Sequence, residues 1–282
     1  MVLPMKNEWL TPIHEGGVQM HLRIRPGDIP GYVLAPGDPG RVPLIGKFWD
    51  QYQEVQQNRE YRIAKGQYRG IELAACSTGI GGASTEIAII ELTNVGVHTI
   101  IRVGTCAALQ EEIAPGDLVI HTGAVRLSGA ADMYVPKAYP AVAHYETVLA
   151  LIEAAEDLGY PYHVGITASV DSFYAGEVNP LPNDKWFSHM NSVIPDLKNA
   201  RVLTFEMEAA TLFVLANIFS LRGGSICVVA ANRITRQRQE TEANILRVCQ
   251  VATRAVAILA EWDKQKQKYQ KNYWFPSLNK RG

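Results

Sequence analysis

The chain has 282 residues, of which 47% are hydrophobic and 20% are charged, and its formal net charge is −1. This length suffices for one large hydrophobic core, and the near-zero charge argues against an electrostatic nucleic-acid binder. No apolar run approaches the length of a membrane span, and residues 1–7 lack the apolar core of a signal peptide. We therefore expect an enzyme of the cytoplasm.

The spacing of cysteines and histidines predicts no transition-metal site. The four cysteines are scattered and mostly lie in apolar runs, which is typical of buried free thiols in a reducing compartment. The seven histidines include no HExxH pair, which makes a catalytic transition metal improbable.

Strand-like and helical segments alternate along the chain. Periodicity and turn residues predict strands near residues 31–35, 61–64, 71–76, 98–103, 117–125, 163–170 and 225–231, with a hairpin between the second and third of them. They predict helices near residues 41–49, 84–94 (with Ser84 as N-cap), 145–158, 206–219 and 240–264. This alternation predicts an α/β fold in which helices flank a central mixed β-sheet.

No internal repeat or linker divides the sequence, so we expect one domain over residues 1–282 with its core at 20–262. The segment at residues 177–200 is rich in proline and asparagine and predicts a long loop, which can include a short helix. Loops of this length in a compact domain are more often binding loops than spacers. The basic, aromatic tail at residues 264–282 is expected to dock on the surface or on a neighbouring subunit.

The segment Arg-Val-Gly-Thr at residues 102–105 follows a short apolar, β-branched run that is typical of a buried parallel strand. The sequence predicts that this strand ends at Arg102. An unpaired charge at the end of a sheet costs several kcal/mol, so Arg102 requires an anionic partner. Because ligands of open α/β folds lie outside the carboxyl ends of strands, we predict a phosphate or carboxylate site here.

Two glycine-containing loops follow other predicted strands. In the loop at residues 36–41, Gly37 and Arg41 are suited to bind an anion, and the alternative is a tight turn with a solvated Arg41. The loop at residues 77–84 is not a Walker A loop and is a poor dinucleotide motif. Close backbone packing or a turn beside a ligand is the better interpretation of that loop.

Two carboxylates, Glu206 and Glu208, open a predicted helix. In a regular helix they point roughly 200° apart and do not share a face. We expect one to contact a ligand while the other caps the helix or pairs with a cation. The alternative is an acidic helix N-terminus that only complements the helix dipole.

Together these segments resemble the hexameric type of nucleoside phosphorylases, with uridine phosphorylases as the most similar branch. The combination of FEMEAATL and RVGT is highly specific to that family. The matching motifs run in family order from about residue 20 to residue 260: PGDPGR (36–41), NREY (58–61), CSTGIGG (76–82), RVGT (102–105), GDLVI (116–120), YPAVAHYE (139–146), DSFY (171–174), FEMEAATL (205–212) and ANR (231–233).

The resemblance implies phosphorolysis, in which a nucleoside and inorganic phosphate give free base and ribose 1-phosphate without an organic cofactor. Phosphate is implied to bind at Gly37, Arg41, Arg102 and Thr105, with Arg59 lent by the neighbouring subunit. The planar guanidinium groups of arginine and the backbone N–H of glycine are well suited to bind a phosphate dianion. Arg102 is thereby implied to be catalytic.

The resemblance also implies a shared ribose site. Met207 and Glu208 match positions that hold the ribose, and Glu208 is implied to bind its 2′ and 3′ hydroxyls. His21 matches a histidine that crosses the dimer to the 5′ hydroxyl. We therefore expect a homo-oligomer, a dimer at least and a hexamer of three dimers by resemblance. A monovalent cation such as K⁺ is implied between subunits at three further residues: Glu60, Ile80 and Ser84.

The base site departs from the family pattern. Phe173 matches an aromatic residue that packs on the base, and Arg233 is retained as the residue that meets the departing base. Uridine phosphorylases carry Gln and Arg where this chain has Glu177 and Asn179. A carboxylate cannot reproduce the donor and acceptor of an amide, and it would suit a base with an N–H to donate. Asn232 stands where bacterial hexameric purine enzymes usually carry an Asp acid.

We rank pyrimidine ribonucleosides first as substrates, with purine nucleosides such as inosine and guanosine as the alternative. A nucleosidase that uses water is disfavoured, because a hydrolase does not use phosphate and needs no arginines to bind a phosphate dianion. A non-catalytic nucleoside-binding relative is disfavoured by the retention of Arg102 and Glu208.

Overall fold

A computed structural model describes residues 13–280 of the chain. Within this range the strands are β1 (Ile13–His14), β2 (Val18–Gln19), β3 (Tyr32–Ala35), β4 (Gln51–Asn58), β5 (Tyr61–Tyr68), β6 (Ile71–Cys76), β7 (Thr99–Ala108), β8 (Leu118–Leu127), β9 (Ala141–Val142), β10 (Tyr162–Val170), β11 (Thr204–Glu206) and β12 (Arg222–Asn232). The α-helices are α1 (Arg41–Gly46), α2 (Gly82–Asn94), α3 (Tyr145–Leu158), α4 (Met190–Asn199), α5 (Ala209–Ile218) and α6 (Glu242–Lys268). Short 3₁₀ turns lie at Glu15–Gly17, Ala130–Met133, Pro182–Asp184 and Pro276–Lys280.

One mixed sheet of ten strands organises the molecule, in the order β11-β10-β8-β12-β7-β3-β6-β5-β4, with β9 paired to β8. Strand β7 runs parallel to β3 and β12, whereas β8 runs antiparallel to β12. Strand β11 also pairs antiparallel with β7, where Thr204 lies opposite Ala108 and Phe205 opposite Ala107. The sheet therefore closes on itself around β7. The predicted α/β fold with a central mixed sheet is confirmed.

Helices cover both faces of this sheet. Helices α1, α3 and α6 share one hydrophobic cluster, and α2 and α5 share the other. Successive side chains of a strand point to opposite faces. In β7, Ile101 lies in the first cluster and Ile100 in the second. Arg102 therefore projects on the same face as Ile100, toward the beginning of α5.

Helix α6 has the length and apolar composition of a membrane span, unlike any segment that we expected from the sequence. It is the one such helix in the described part of the chain, and 72% of its most apolar window is buried inside the protein. It therefore serves as a core helix that packs beside α3 on the same face of the sheet.

The structure corrects the sequence prediction in several places. Strand β7 does not end at Arg102 but continues for six residues to Ala108. The predicted N-cap Ser84 lies inside α2, whose N-cap is Gly81. Strand β4 was not predicted, because its sequence is polar and most of its residues are exposed. The helix predicted from residue 206 begins at Ala209, after the short strand β11.

The base-side segment at residues 177–200 contains the short helix α4, so it is not loop throughout. The described part of the tail, up to residue 280, docks on its own chain. Trp274 stacks on Trp262 of α6 with ring centroids 3.7 Å apart. The backbone N–H of Trp274 donates to Glu146 of α3 at 3.1 Å, and Tyr145 donates to the Trp274 carbonyl at 2.8 Å.

Candidate active site

A cavity of about 620 Å³ opens over β7, between the loops that follow β3 and β10 and the beginning of α5. This volume lies within the range of small-molecule sites. Twelve residues that we named from the sequence line it: Gly37, Arg41, Ile80, Arg102, Thr105, Phe173, Glu177, Asn179, Glu206, Met207, Glu208 and Arg233. They come from segments spread over most of the chain, and the fold brings them together.

Arg102 lies at the floor of the cavity with only 6% of its surface exposed. Its Nε–H donates to Glu206 at 3.0 Å, and its Nη2 lies 2.6 Å from an oxygen of Glu208. The anionic partner expected for this arginine is therefore supplied in part by the chain itself. Burial lowers the pKa of Arg102, but the charges of Glu208 and Glu206 raise it by more, and the net pKa is raised. Arg102 is a fixed positive charge.

The glycine of the RVGT motif makes room for this arginine. Gly104 lies two residues beyond Arg102 on the same face of β7, and a Cβ atom there would lie 2.8 Å from the guanidinium. The Arg102 guanidinium thus occupies the space that a side chain at residue 104 would fill. The motif therefore pairs Arg and Gly for a steric reason that the sequence alone did not show.

Glu206 and Glu208 converge on Arg102 because they do not lie in a regular helix, contrary to our expectation. Glu206 ends β11 and accepts the backbone N–H groups of Glu208 and Ala209, each at 2.8 Å. It also accepts a hydrogen bond from Ser169. Glu206 therefore both caps α5 and pairs with Arg102. These four hydrogen bonds occupy its carboxylate.

Glu208 faces the cavity and is 4% exposed. One of its oxygens accepts the backbone N–H of Gly81 at 2.6 Å. Burial raises the pKa of this carboxyl, and the opposing attraction of Arg102 offsets only part of that rise. The glycine-rich loop is thus a turn beside the predicted ribose residue, as one of our two interpretations held.

The predicted phosphate residues of this subunit lie around one end of the cavity. The Arg41 Nη2 lies 3.4 Å from the Thr105 hydroxyl oxygen, a long hydrogen bond. Gly37 packs so closely that a Cβ atom there would lie 3.1 Å from the Gly79 carbonyl oxygen. Arg41 is partly buried and lines the cavity.

The predicted base residues lie in the loop after β10 and at the end of β12. The Arg233 guanidinium donates to Asn179 Oδ1 at 2.5 Å and to the carbonyls of Glu177 and Val178 at 2.8 and 2.7 Å. Val178 has φ = 59°, which is costly for a β-branched residue. Arg233 therefore fixes a strained loop. Phe173, at 52% exposed, stands at the mouth of the cavity.

Glu177 is the buried member of that loop, with 6% of its surface exposed. Burial raises the pKa of its carboxyl from the ordinary 4.5 to about 7, the nearby Arg233 lowers it, and Glu206 and Glu208 raise it further. Our interpretation of this position assumed an ionised carboxylate. The raised pKa favours the neutral form of this carboxyl, which that interpretation did not consider.

His21 and Arg59 do not line the cavity of their own subunit. The His21 Nδ1 lies 2.7 Å from Glu91, and the backbone N–H groups of His21 and Leu22 also donate to that buried carboxylate. Arg59 is exposed in the turn between β4 and β5 with φ = 54°. The neighbouring Asn58 side chain donates to the His21 carbonyl at 2.8 Å, so both predicted donors lie on one part of the surface.

Two of the three predicted cation ligands are in contact. The Ser84 hydroxyl donates to Glu60 at 2.9 Å, and it also donates to the Thr78 carbonyl. Hydrogen bonding to its own backbone lowers the pKa of Glu60. Ile80 is 77% exposed and lies at the cavity. Over residues 13–280, no group of three or more His, Cys, Asp or Glu side chains is arranged to hold a metal ion.

Comparison with known proteins identifies the family. The sequence profile described as "Phosphorylase superfamily" matches residues 32–261. The chain belongs to the phosphorylase superfamily. It is 50% identical over 270 residues to a uridine phosphorylase of Thermococcus kodakarensis, covering 95% of this chain and 96% of that one. It is 40% identical over 226 residues to a guanosine phosphorylase of Halorubrum lacusprofundi (80% and 88% covered). It is 36% identical over 244 residues to the uridine phosphorylase of Escherichia coli (86% and 95% covered). The family resemblance that we predicted from the motifs is confirmed.

Asn232 has a structural role in this phosphorylase. Its Nδ2 donates to the carbonyls of Gln110 and Ile113 at 2.8 and 2.7 Å, and its Oδ1 accepts the backbone N–H groups of Ile234 and Thr235. These four bonds satisfy the amide completely. The side chain is therefore unavailable as an acid for a departing base.

Some residues around the site of this phosphorylase were not foreseen. Charged side chains of Asp38, Arg238 and Glu240 also line the cavity. Ser169, outside the cavity, donates to Glu206, which lines the cavity and pairs with Arg102. No motif in the sequence marks such supporting contacts, because they join residues that are distant along the chain.

Proposed function

We propose that this phosphorylase cleaves uridine with inorganic phosphate to give uracil and ribose 1-phosphate. That it is a nucleoside phosphorylase, a pentosyltransferase, follows from the family and from relatives that cover nearly the whole chain. Phosphate is the co-substrate of such enzymes. The observation that carries the proposal is that residues predicted for phosphate, ribose and base line one cavity.

Phosphate is proposed to lie between Arg41, Arg102 and Thr105, beside the backbone of Gly37. Arg102 has five N–H donors and uses two of them on Glu206 and Glu208, so three remain for a phosphate oxygen. The two carboxylates fix the orientation of the guanidinium before phosphate arrives. Such preorganised donors lower the barrier because they need no reorganisation during the reaction.

The ribose is proposed to lie over Met207 and Glu208. The Glu208 carboxylate accepts one hydrogen bond from Gly81 and pairs with Arg102, which leaves lone pairs for ribose hydroxyls. Because Glu208 bonds to the arginine that we assign to phosphate, the two substrates are held by one connected network. In this proposal the connection holds the phosphate and C1′ in position for attack.

In the proposed reaction a phosphate oxygen bonds to C1′ as the glycosidic bond breaks, and the electron pair of that bond leaves with the base. The sugar acquires oxocarbenium character, which the phosphate dianion stabilises. Negative charge develops on the base nitrogen and carbonyl oxygens. Arg233 uses three donated hydrogen bonds to hold the loop. Two of its N–H groups are unused among the described residues, and we assign these to the base.

We further propose that the active site is completed by a neighbouring subunit. Arg59 and His21 lie together on the surface and outside the cavity of their own chain, as residues donated to another subunit would. A hexamer of three such dimers is the proposed assembly. A K⁺ ion at Glu60, Ile80 and Ser84 belongs to the same proposal.

A cytoplasmic location is proposed as well. All four cysteines are buried free thiols, which fits a reducing compartment.

Guanosine phosphorolysis is the second candidate, because a guanosine phosphorylase is 40% identical and Glu177 departs from the uridine pattern. The test is an assay of uridine, inosine and guanosine with and without phosphate. We expect phosphate-dependent release of uracil at the highest rate. Faster release of guanine would establish the second candidate. Cleavage at equal rates without phosphate would indicate a nucleosidase, and no cleavage at all would refute both candidates.

A further inference from the structure

The carboxyl group of Glu177 lines the cavity without a hydrogen-bond partner among the described residues. Only 6% of the residue is exposed, and it lines the cavity beside Arg233. No described residue forms a hydrogen bond with its side-chain oxygens. The Arg233 guanidinium beside it donates three hydrogen bonds, to the carbonyls of Glu177 and Val178 and to Asn179, and none to the Glu177 carboxyl. A polar group that lines a cavity without a hydrogen-bond partner is available for a ligand.

The charged groups that face Glu177 come from three elements. Arg233, at the end of β12, attracts a negative charge there, whereas Glu206 of β11 and Glu208 at the beginning of α5 repel it. Arg102 of β7 is paired with both of those carboxylates, and it balances only one of them. Burial and this residual negative charge both disfavour an ionised Glu177. Bound phosphate dianion adds to the repulsion.

We propose that Glu177 binds the base as a neutral carboxylic acid, with its O–H donating to a carbonyl oxygen of uracil and its C=O accepting the uracil N3–H. This inference rests on the proposed function. A neutral carboxyl offers one donor and one acceptor side by side, as the glutamine amide of uridine phosphorylases does. The departure at residue 177 therefore preserves the pattern of hydrogen bonds. The O–H bond strengthens as negative charge develops on the departing base.

Ionisation of Glu177 would change the preferred base. A carboxylate only accepts hydrogen bonds, and it repels the carbonyl oxygens that flank the uracil N3–H. Guanine presents two neighbouring donors, its N1–H and its 2-amino group, which match a carboxylate. The same side chain thus favours uracil at low pH and guanine at high pH. The change occurs near neutral pH, because burial raises the Glu177 pKa to about 7.

The first test measures kcat/KM for uridine from pH 6 to pH 8 in wild type and in Glu177→Gln. Inorganic phosphate titrates in this range as well, but equally for both proteins, so their ratio isolates Glu177. A pKa of about 7 predicts that the ratio of wild type to variant falls about tenfold between pH 6 and pH 8. If bound phosphate raises the Glu177 pKa further, the fall in this ratio moves to higher pH by the same number of pH units. A ratio that stays constant up to pH 8.5 would overturn the proposal.

The second test does not depend on turnover. Calorimetry of uracil binding, with phosphate present, is performed at pH 8 in buffers that differ in ionisation enthalpy. We expect wild type to take up close to one proton per uracil bound, and Glu177→Gln to take up none. Uracil binding without proton uptake in wild type would overturn the role of Glu177 while leaving the proposed function intact. Failure of uracil to bind wild type would instead refute the proposed function.

Discussion

Replacement of Arg102 by alanine is predicted to affect catalysis and stability together. The Arg102 guanidinium is 6% exposed and contacts both Glu206 and Glu208. Removal leaves two buried carboxylates without their cation. Breaking a buried ion pair by removing one partner costs about 3–5 kcal/mol of stability. Loss of one preorganised donor at a transition-state anion costs about 100- to 1,000-fold in rate.

Arg102→Lys is the matched control for this prediction. Lysine keeps the positive charge but cannot hold both carboxylates with a planar fork. We expect Arg102→Lys to be destabilised less than Arg102→Ala, and to remain well below wild type in activity. Denaturant unfolding gives the free energies, and initial rates at varied phosphate give kcat and KM for phosphate. Because an unstable variant can lose activity by unfolding, rates are measured where circular dichroism shows both variants folded.

Two results would refute this reasoning. If folded Arg102→Ala kept kcat/KM for phosphate within about threefold of wild type, Arg102 would not bind the phosphate. If its unfolding free energy equalled that of wild type, the two carboxylates would not depend on Arg102 for their charge balance.

Three further predictions follow from the contacts around the site. Glu177→Gln should gain about 3 kcal/mol of stability relative to wild type as pH rises from below 4.5 to above 7, because the raised pKa of Glu177 makes its ionisation oppose folding. Denaturant unfolding of both proteins at pH 5 and at pH 8 measures this gain. The same difference in stability at both pH values would contradict the prediction. Gly104→Ala should lower kcat by about 100-fold, because the added Cβ would lie 2.8 Å from the Arg102 guanidinium. The same Cβ would lie 2.7 Å from the Cys227 sulfur. The double variant Gly104→Ala with Cys227→Ala removes that second clash and should still have a low kcat. Recovery of kcat in the double variant would show that the clash with sulfur was responsible. Arg59→Ala and Arg102→Ala should each be inactive alone. Oligomers that mix the two variants should regain activity, because some of their shared sites have both residues intact. No recovery after confirmed subunit exchange would exclude a shared site.

The order of strands and helices was largely predictable because it depends on local patterns. Helix α3 has the predicted limits, Tyr145–Leu158, since it has an extended N-cap at His144 and a left-handed glycine at Gly159. Strand β4 escaped prediction because its polar residues carry no alternation that marks a buried face. Glu206, the last residue of β11, was assigned to a helix because residues 206–210 favour a helix locally, whereas pairing with Ser169 of β10 extends it.

The motifs also determined most of the candidate site. Twelve of the named residues line one cavity: most follow a strand or begin a helix, whereas Arg102 and Thr105 lie within β7 and Glu206 ends β11. What the motifs could not give was the charge state of Glu177 or the orientation of Arg102. Both depend on residues more than 20 positions away along the chain: Glu206 and Glu208 for each, and Arg233 for Glu177.

The sequence by itself therefore determined the family, the elements and the types of side chain present, since these depend on local pattern and on motifs. Only the tertiary structure decided which of those side chains are buried together. Burial decides ionisation, because moving a charge out of water costs more than any local pattern reveals. For this protein the closure of β11 onto β7 is the decisive event, since it brings two carboxylates to Arg102.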